Sequence, residues 1–217
     1  MSVSVVIPVK NGALFIREAI ESVRTQPDVS EVLVIDDHSS DHSVEVGREA
    51  GASVFSNPGK GPVAARNDGI QRARGTYIAF LDADDRSRPE RIARQRHYLD
   101  EHPEVTGVYG HVVVFSTNAD GTEVVAEPTP GWLPSSFMVR RDAFARYGLF
   151  NESLVTGEVI DWTDRLRHAQ ERFDILDDVV ADRRSHANNL SRQRDVMNRD
   201  YLRLAHEAIL RKRGQTP

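Results

Sequence analysis

The chain contains no cysteine in 217 residues. That excludes a disulfide framework, a thiolate metal site and a cysteine nucleophile, and it agrees with a cytoplasmic protein. A strong charge imbalance is lacking as well, with 28 Lys and Arg against 33 Asp and Glu. No global field then draws the chain toward nucleic acid or anionic lipid, and any phosphate must be handled locally. Long apolar runs are also missing: none approaches the roughly 18 residues that a membrane span requires. The apolar start MSVSVVIPV is short, has no basic lead-in and meets Lys10 and Asn11 at once, so it reads as a strand and not a signal peptide. Repeats and low-complexity tracts are absent too.

What is present is an alternation. Ser4 to Val9, Glu31 to Ile35, Ala52 to Phe55 and Tyr77 to Leu81 read as buried strands, separated by helical stretches of regular length. Leu14, Ile16, Ala19, Ile20 and Val23 mark the inner face of the first helix, and Asp41 is placed to cap the second. Such alternation predicts a mostly parallel, doubly wound α/β sheet with right-handed crossovers. After a helix over Arg88 to Leu99 the pattern changes to short strands at Val105 to Tyr109, Val112 to Ser116, Glu123 to Ala126 and Ser136 to Val139. Helices follow at Arg141 to Tyr147 and from about Gly157.

The fourth strand ends abruptly in acid, at Asp82, Asp84 and Asp85. In open α/β sheets, ligands bind at the carboxyl ends of the strands. Asp82-Ala83-Asp84 offers two hard oxygen donors on one side of a turn, which suits Mg²⁺ or Mn²⁺ better than Zn²⁺. The same acids would also serve as a helix cap, and spacing alone leaves both readings open. A strand order of 3-2-1-4 would bring the Pro8 to Asn11 turn beside the acids, with Asp36 and Asp37 one strand along and Arg66 reaching over them. Carboxylates for a base and ribose, with a cation and an Arg for a diphosphate, fit a nucleotide.

The blocks SVVIPVKNG, EVLVIDDHSSD, GPVAARNDGI and GTYIAFLDADD resemble, in order and spacing, those of the family 2 glycosyltransferases. The resemblance implies a GT-A fold: a Rossmann-like central sheet flanked by helices, with a smaller mixed acceptor-side half. It implies one domain over 1–217, divided into a nucleotide-binding half (1–100), an acceptor-side half (101–190) and a C-terminal helix (191–217). It also implies a nucleotide-sugar donor, expected to be UDP-linked, and a hydroxyl acceptor, with self-association left open. Pro8, Val9, Asn11, Asp36 or Asp37, Arg66, Asp82, Ala83 and Asp84 would bind the donor, and Asp84 would hold Mn²⁺ or Mg²⁺. Lys10 stands where many members have an aromatic residue.

The Asp161-Trp162 helix start resembles the family's acidic motif, so Asp161 is the expected general base and Glu158 the reserve. Asp182 to Ser191 resembles the segment in which a histidine, here His186, joins the metal or the diphosphate, with Arg183 or Arg184 beside the leaving group. Trp132 and Trp162 are candidates for an acceptor platform. Two rivals stand beside the transferase. One is a phosphohydrolase of the haloacid dehalogenase type, which lacks its acid at the first strand here; the other is a nucleotide-sugar binder without catalysis.

Overall fold

The computed structural model describes residues 1–187, 189 and 194–212. Asn188, Leu190 and Ser191 of the histidine segment lie outside the described residues, as do parts of the helix expected over 191–217. The first half alternates as its hydrophobic pattern requires: β1 (Val3–Val9), α1 (Ile16–Arg24), β2 (Val29–Asp36), α2 (Ser43–Glu49), β3 (Ser53–Ser56), α3 (Gly61–Arg72) and β4 (Tyr77–Phe80). Then come β5 (Arg86–Ser87), α4 (Arg91–Glu101), β6 (Val105–Thr117), β7 (Glu123–Val125) and β8 (Thr129–Pro130). A 3-10 turn at Pro134–Ser136 leads into β9 (Met138–Arg140), α5 (Asp142–Tyr147), α6 (Glu158–His168), β10 (Arg172–Arg184) and α7 (Arg194–Lys212).

The strands form one sheet in the order β3-β2-β1-β4-β9-β6-β10-β5, with β7 and β8 added on β6. The pairs among β1 to β4 are parallel, as is β6 with β10, whereas β9 runs antiparallel between β4 and β6. Side chains alternate across the sheet. Val5, Ile7, Tyr77 and Ala79 face α1 and α4, while Val6, Ile78 and Phe80 face α3, α5 and α6. Both faces of β1 and β4 are covered by helices, and these two strands are buried along their length, as central parallel strands require. Among the described residues no helix is long and apolar enough to cross a membrane.

Three expectations need correction. The two strands expected over Val105 to Ser116 are one 13-residue strand, β6, because β10 pairs along it from Val105 to Phe115. β10 itself has no apolar signature, since its sequence is RFDILDDVVADRR. Its acids are matched from α4 and the turn before it: Asp174 accepts from Tyr98, Asp178 from Arg94 and Asp182 from Arg88. A strand whose charges are paired locally can sit in a sheet without the usual hydrophobic pattern. Leu14, expected on the inner face of α1, is 89% exposed because the helix begins only at Ile16.

Helix α3 approaches the sheet at Gly69, where an added Cβ would lie 2.3 Å from Cγ1 of Val6. Val6 is fully buried and β-branched, so it has little room to yield. Gly69→Ala gains about 1 kcal/mol of helix propensity but overpacks the core at a cost of about 1–3 kcal/mol. The expected result is a net loss of stability, seen as a Tm lowered by a few degrees in calorimetry.

Candidate active site

Strands β1 and β4 pair from Val3 with Tyr77 to Val6 with Phe80, so the turns that follow them emerge side by side. Pro8 and Val9 close β1 beneath the crevice. Gly12 allows the approach: a Cβ there would lie 2.8 Å from Cγ2 of Val9 and 3.7 Å from Cβ of Ala83. Asn11, at φ 52°, turns the chain and staples it to the neighbouring loop. Its N–H donates to Oγ of Ser39 at 2.8 Å, and its Oδ1 accepts the N–H of Ser40 at 2.8 Å.

The two acids at the end of β2 have different tasks. Asp36 accepts the N–H of Ser39 at 3.2 Å, closing its own turn. Asp37 is buried and receives Nδ2 of Asn57 and the N–H of Gly61, each at 2.8 Å. Lys10, exposed at the rim, reaches the other oxygen of Asp37 at 3.3 Å. This edge of the site therefore presents the ammonium group of Lys10.

At the end of β4, carboxylates gather around buried arginines. Arg66 is 5% exposed and divides its guanidinium: Nη2 pairs with Asp82, and Nη1 with Glu158 at 2.7 Å. Its Nε is buried without a hydrogen-bond partner. Burial raises the pKa of Glu158, with Arg66 opposing; burial also works against the charge of Arg66, but Glu158 and Asp82 overcome it and raise its pKa. Asp85 is pushed well above the usual carboxylate range by burial and by the charges of Asp82 and Asp84. Behind it lies Arg91, 1% exposed, whose Nη2 donates to the carbonyls of Phe80 at 3.0 Å and Phe137 at 3.3 Å. Burial pulls the Arg91 pKa down to about 9, against the charge of Asp85, so the group remains a cation at neutral pH.

Asp84 meets the histidine segment. Its Oδ2 lies 2.9 Å from Nε2 of His186 and 3.0 Å from Nδ2 of Asn189. Burial and the charge of Asp82 raise the pKa of Asp84, with His186 opposing. Among the described residues no group of three or more His, Cys, Asp or Glu is gathered as a metal cluster. The chemistry still fits a divalent cation. Asp84 and Asp82 disfavour each other's charge, the orphaned Nε of Arg66 is a spare donor for phosphate, and a carboxylate beside an imidazole is a donor set that Mn²⁺ accepts.

The acids and aromatics of the second half are placed differently from expectation. Asp161 is 1% exposed and faces Nε of Arg165 at 3.1 Å and Nη2 of Arg211 at 2.8 Å, whereas Glu158 faces the acid turn through Arg66. Trp162 is fully buried and donates from Nε1 to the Gly148 carbonyl at 2.8 Å, so it cannot form an acceptor platform. Trp132 is 42% exposed and lies under the guanidinium of Arg167 at 5.1 Å. Arg184 lies beside the turn, donating from Nε to the Asp84 carbonyl at 3.0 Å, but its Nη2 is held by Glu18. Ser135, Asn57 and Asn189 were not foreseen at the site. Each acts by a contact far along the chain or by one on a loop without pattern, and a sequence carries no local signal for either.

Removing Arg66 would leave Glu158 buried without a counter-charge. Arg66→Ala is expected to cost about 3–5 kcal/mol, the usual penalty for orphaning one member of a buried pair. Arg66→Lys, which cannot span both carboxylates, should lose less. Urea denaturation of the two variants measures the difference.

The chain resembles known proteins in sequence and in fold. A 42% identical relative over 105 residues is an uncharacterized glycosyltransferase of Rickettsia felis, the match covering 46% of this chain and 17% of the relative. Glycosyltransferase AglE of Haloferax volcanii is 28% identical over 203 residues, 82% of this chain and 65% of that protein. The chain thus spans only part of the relatives it matches. Among solved structures, the mannosyltransferase PcManGT from Pyrobaculum calidifontis, in complex with GDP-Man and Mn²⁺, superposes with a TM-score of 0.76 at 17% identity, covering 95% of this chain and 64% of that one. S. aureus TarS in complex with UDP-GlcNAc gives 0.74 at 19% identity, covering 97% and 67%. These likenesses establish the GT-A fold. The sequence model described as Glycosyl transferase family 2 matches residues 4–152, from β1 through the acid turn and past α5. The chain belongs to that family.

Proposed function

We propose that the protein transfers a sugar from a nucleoside-diphosphate sugar to an acceptor hydroxyl, with inversion at the anomeric carbon. The observation that carries this reading is the chain of charges from Asp82 through Arg66 to Glu158, which joins the donor turn to the acceptor-side helix. The fold neighbours bound to UDP-GlcNAc and to GDP-Man with Mn²⁺ support a nucleotide-sugar donor and a divalent cation. A UDP-linked donor is the reading tested first.

The donor's diphosphate lies at the acid turn, where it competes with Asp82 and Glu158 for the Arg66 fork and also takes the unpartnered Nε. Asp84 and His186 would hold a divalent cation, which when bound would supply positive charge to the leaving diphosphate. Pro8, Val9, Asn11 and Asp36 or Asp37 shape the base and ribose side. Glu158, freed from Arg66 as the donor binds, accepts the proton of the acceptor hydroxyl. The new carbon–oxygen bond forms as the bond to the diphosphate breaks, and the nucleoside diphosphate leaves. Burial raises the pKa of Glu158 and so makes it a better proton acceptor. Asp161, the base that the resemblance favours, is held by Arg165 and Arg211 and takes the second place.

One observation favours the rival reading of a binder without catalysis: the two candidate bases of α6, Glu158 and Asp161, are ion-paired with arginines. Transfer assays separate the two. Donors are identified first by a thermal-shift panel of nucleotide sugars with and without Mn²⁺. Glu158→Gln is then expected to lose about a hundred- to ten-thousandfold in turnover, the size of general-base assistance, while Asp161→Asn stays active. Loss of turnover in Asp161→Asn alone, with donor affinity kept, moves the base to Asp161. Donor binding by the wild type without any transfer makes the protein a binder.

A further inference from the structure

The acid turn has one backbone bond of its own, from the N–H of Asp85 to the Asp82 carbonyl at 3.1 Å, and its other anchors come from far along the chain. Ser135, from the 3-10 turn before β9, is fully buried, and its hydroxyl lies between two parts of the turn. Its Oγ accepts the N–H of Asp82 at 3.0 Å and donates to Oδ2 of Asp85 at 2.6 Å. The other oxygen of Asp85 accepts the N–H of Arg184 at 2.9 Å, at the end of β10. Two residues further on, His186 reaches Asp84 at 2.9 Å. Asp85 is 3% exposed and so has no route to a ligand of its own. Both its oxygens are used to tie the turn to the second half of the sheet. The 3-10 turn is in turn fixed by Gln95, whose Nε2 donates to the Ser136 carbonyl at 2.7 Å.

We propose that Ser135 and Asp85 are positioning residues: they form a clasp that sets the Asp82 and Asp84 carboxylates, and the His186 segment with them, in the arrangement that receives the donor's cation. The inference rests on the proposed reading of Asp84 and His186 as the cation's ligands. Neither clasp residue touches the donor. Without the clasp, Asp82 loses its backbone anchor and the half-buried Asp82 and Asp84 separate to relieve their repulsion. The cation is then bound less well, while the contacts to base and ribose on the β1 and β2 side are unchanged.

The test measures affinity for UDP and for GDP by calorimetry, with Mn²⁺ and with a chelator, alongside hydrogen exchange at the Asp82 amide. In Ser135→Ala the amide is expected to exchange faster, and the gain in affinity due to Mn²⁺ to fall about five- to tenfold, the worth of one or two lost hydrogen bonds. Affinity in chelator should not change. Ser135→Thr keeps the hydroxyl and should restore both readouts. Asp85→Asn places an N–H₂ against one of two donors and should reproduce part of the loss; it decides the matter if the buried Thr is not accommodated. A metal-dependent wild type with an unaffected Ser135→Ala overturns the clasp alone. So does an equal fall with and without Mn²⁺ in Ser135→Ala and Asp85→Asn, which marks a merely structural role. A wild type that binds nucleotide but is indifferent to Mn²⁺ overturns the cation reading, and the clasp with it.

Discussion

Arg66 stands between Asp82, at the end of β4, and Glu158, at the start of α6, and its charge makes the burial of Glu158 tolerable. A buried carboxylate without a partner would neutralise itself by taking up a proton, and the acceptor-side helix would then present no anion to the crevice. One guanidinium therefore joins the end of β4 to the start of α6 and favours the charged form of Glu158. It is shared unequally, since Asp82 is partly open to solvent and Glu158 is not.

The rest of the site repeats this logic on a smaller scale. Asp37 is spent on Asn57 and Gly61, Asp85 on Ser135 and Arg184, and Asp161 on Arg165 and Arg211. These three buried acids have at least two donors each, whereas Asp82 and Asp84 keep part of their surface open. The arrangement separates acids that build the crevice from acids that face it. Arg91 extends the pattern into the core, where carbonyls of β4 and of the residue before β9 take the place of a direct carboxylate contact.

Much of this was legible in the sequence. The apolar runs ending at Val9, Ile35, Phe55 and Leu81 pointed to four parallel strands, and the common 3-2-1-4 arrangement supplied the order that the sheet adopts. The acid turn and Arg66 followed from that order. β10 was hidden because Asp178 and Asp182 are neutralised by Arg94 and Arg88, about eighty to ninety residues earlier, and Asp174 accepts from the comparably distant Tyr98; pairing across that distance leaves no local trace. Glu158 and Asp161 lie three residues apart on one helix, and a sequence does not say which of them looks toward Arg66. Trp162 looked available for the same reason, and burial among Phe137, Phe144 and Phe150 decided otherwise.

The strand order also dictates a sequence of assembly. β10 lies between β6 and β5, and β5 has its ladder only with β10. As the chain leaves the ribosome, β1 to β4, β6 and β9 can find their partners from what has already been made, since the part synthesised first folds first. β5 and the acid turn before it must wait for residues 172–184. Closing that gap joins positions about 100 apart, as in the bond from Arg184 to Asp85, and distant pairings of this kind are slow to form. The candidate site is thus completed late, and a nascent chain that has folded its first half still carries an unfinished sheet edge beside the acid turn.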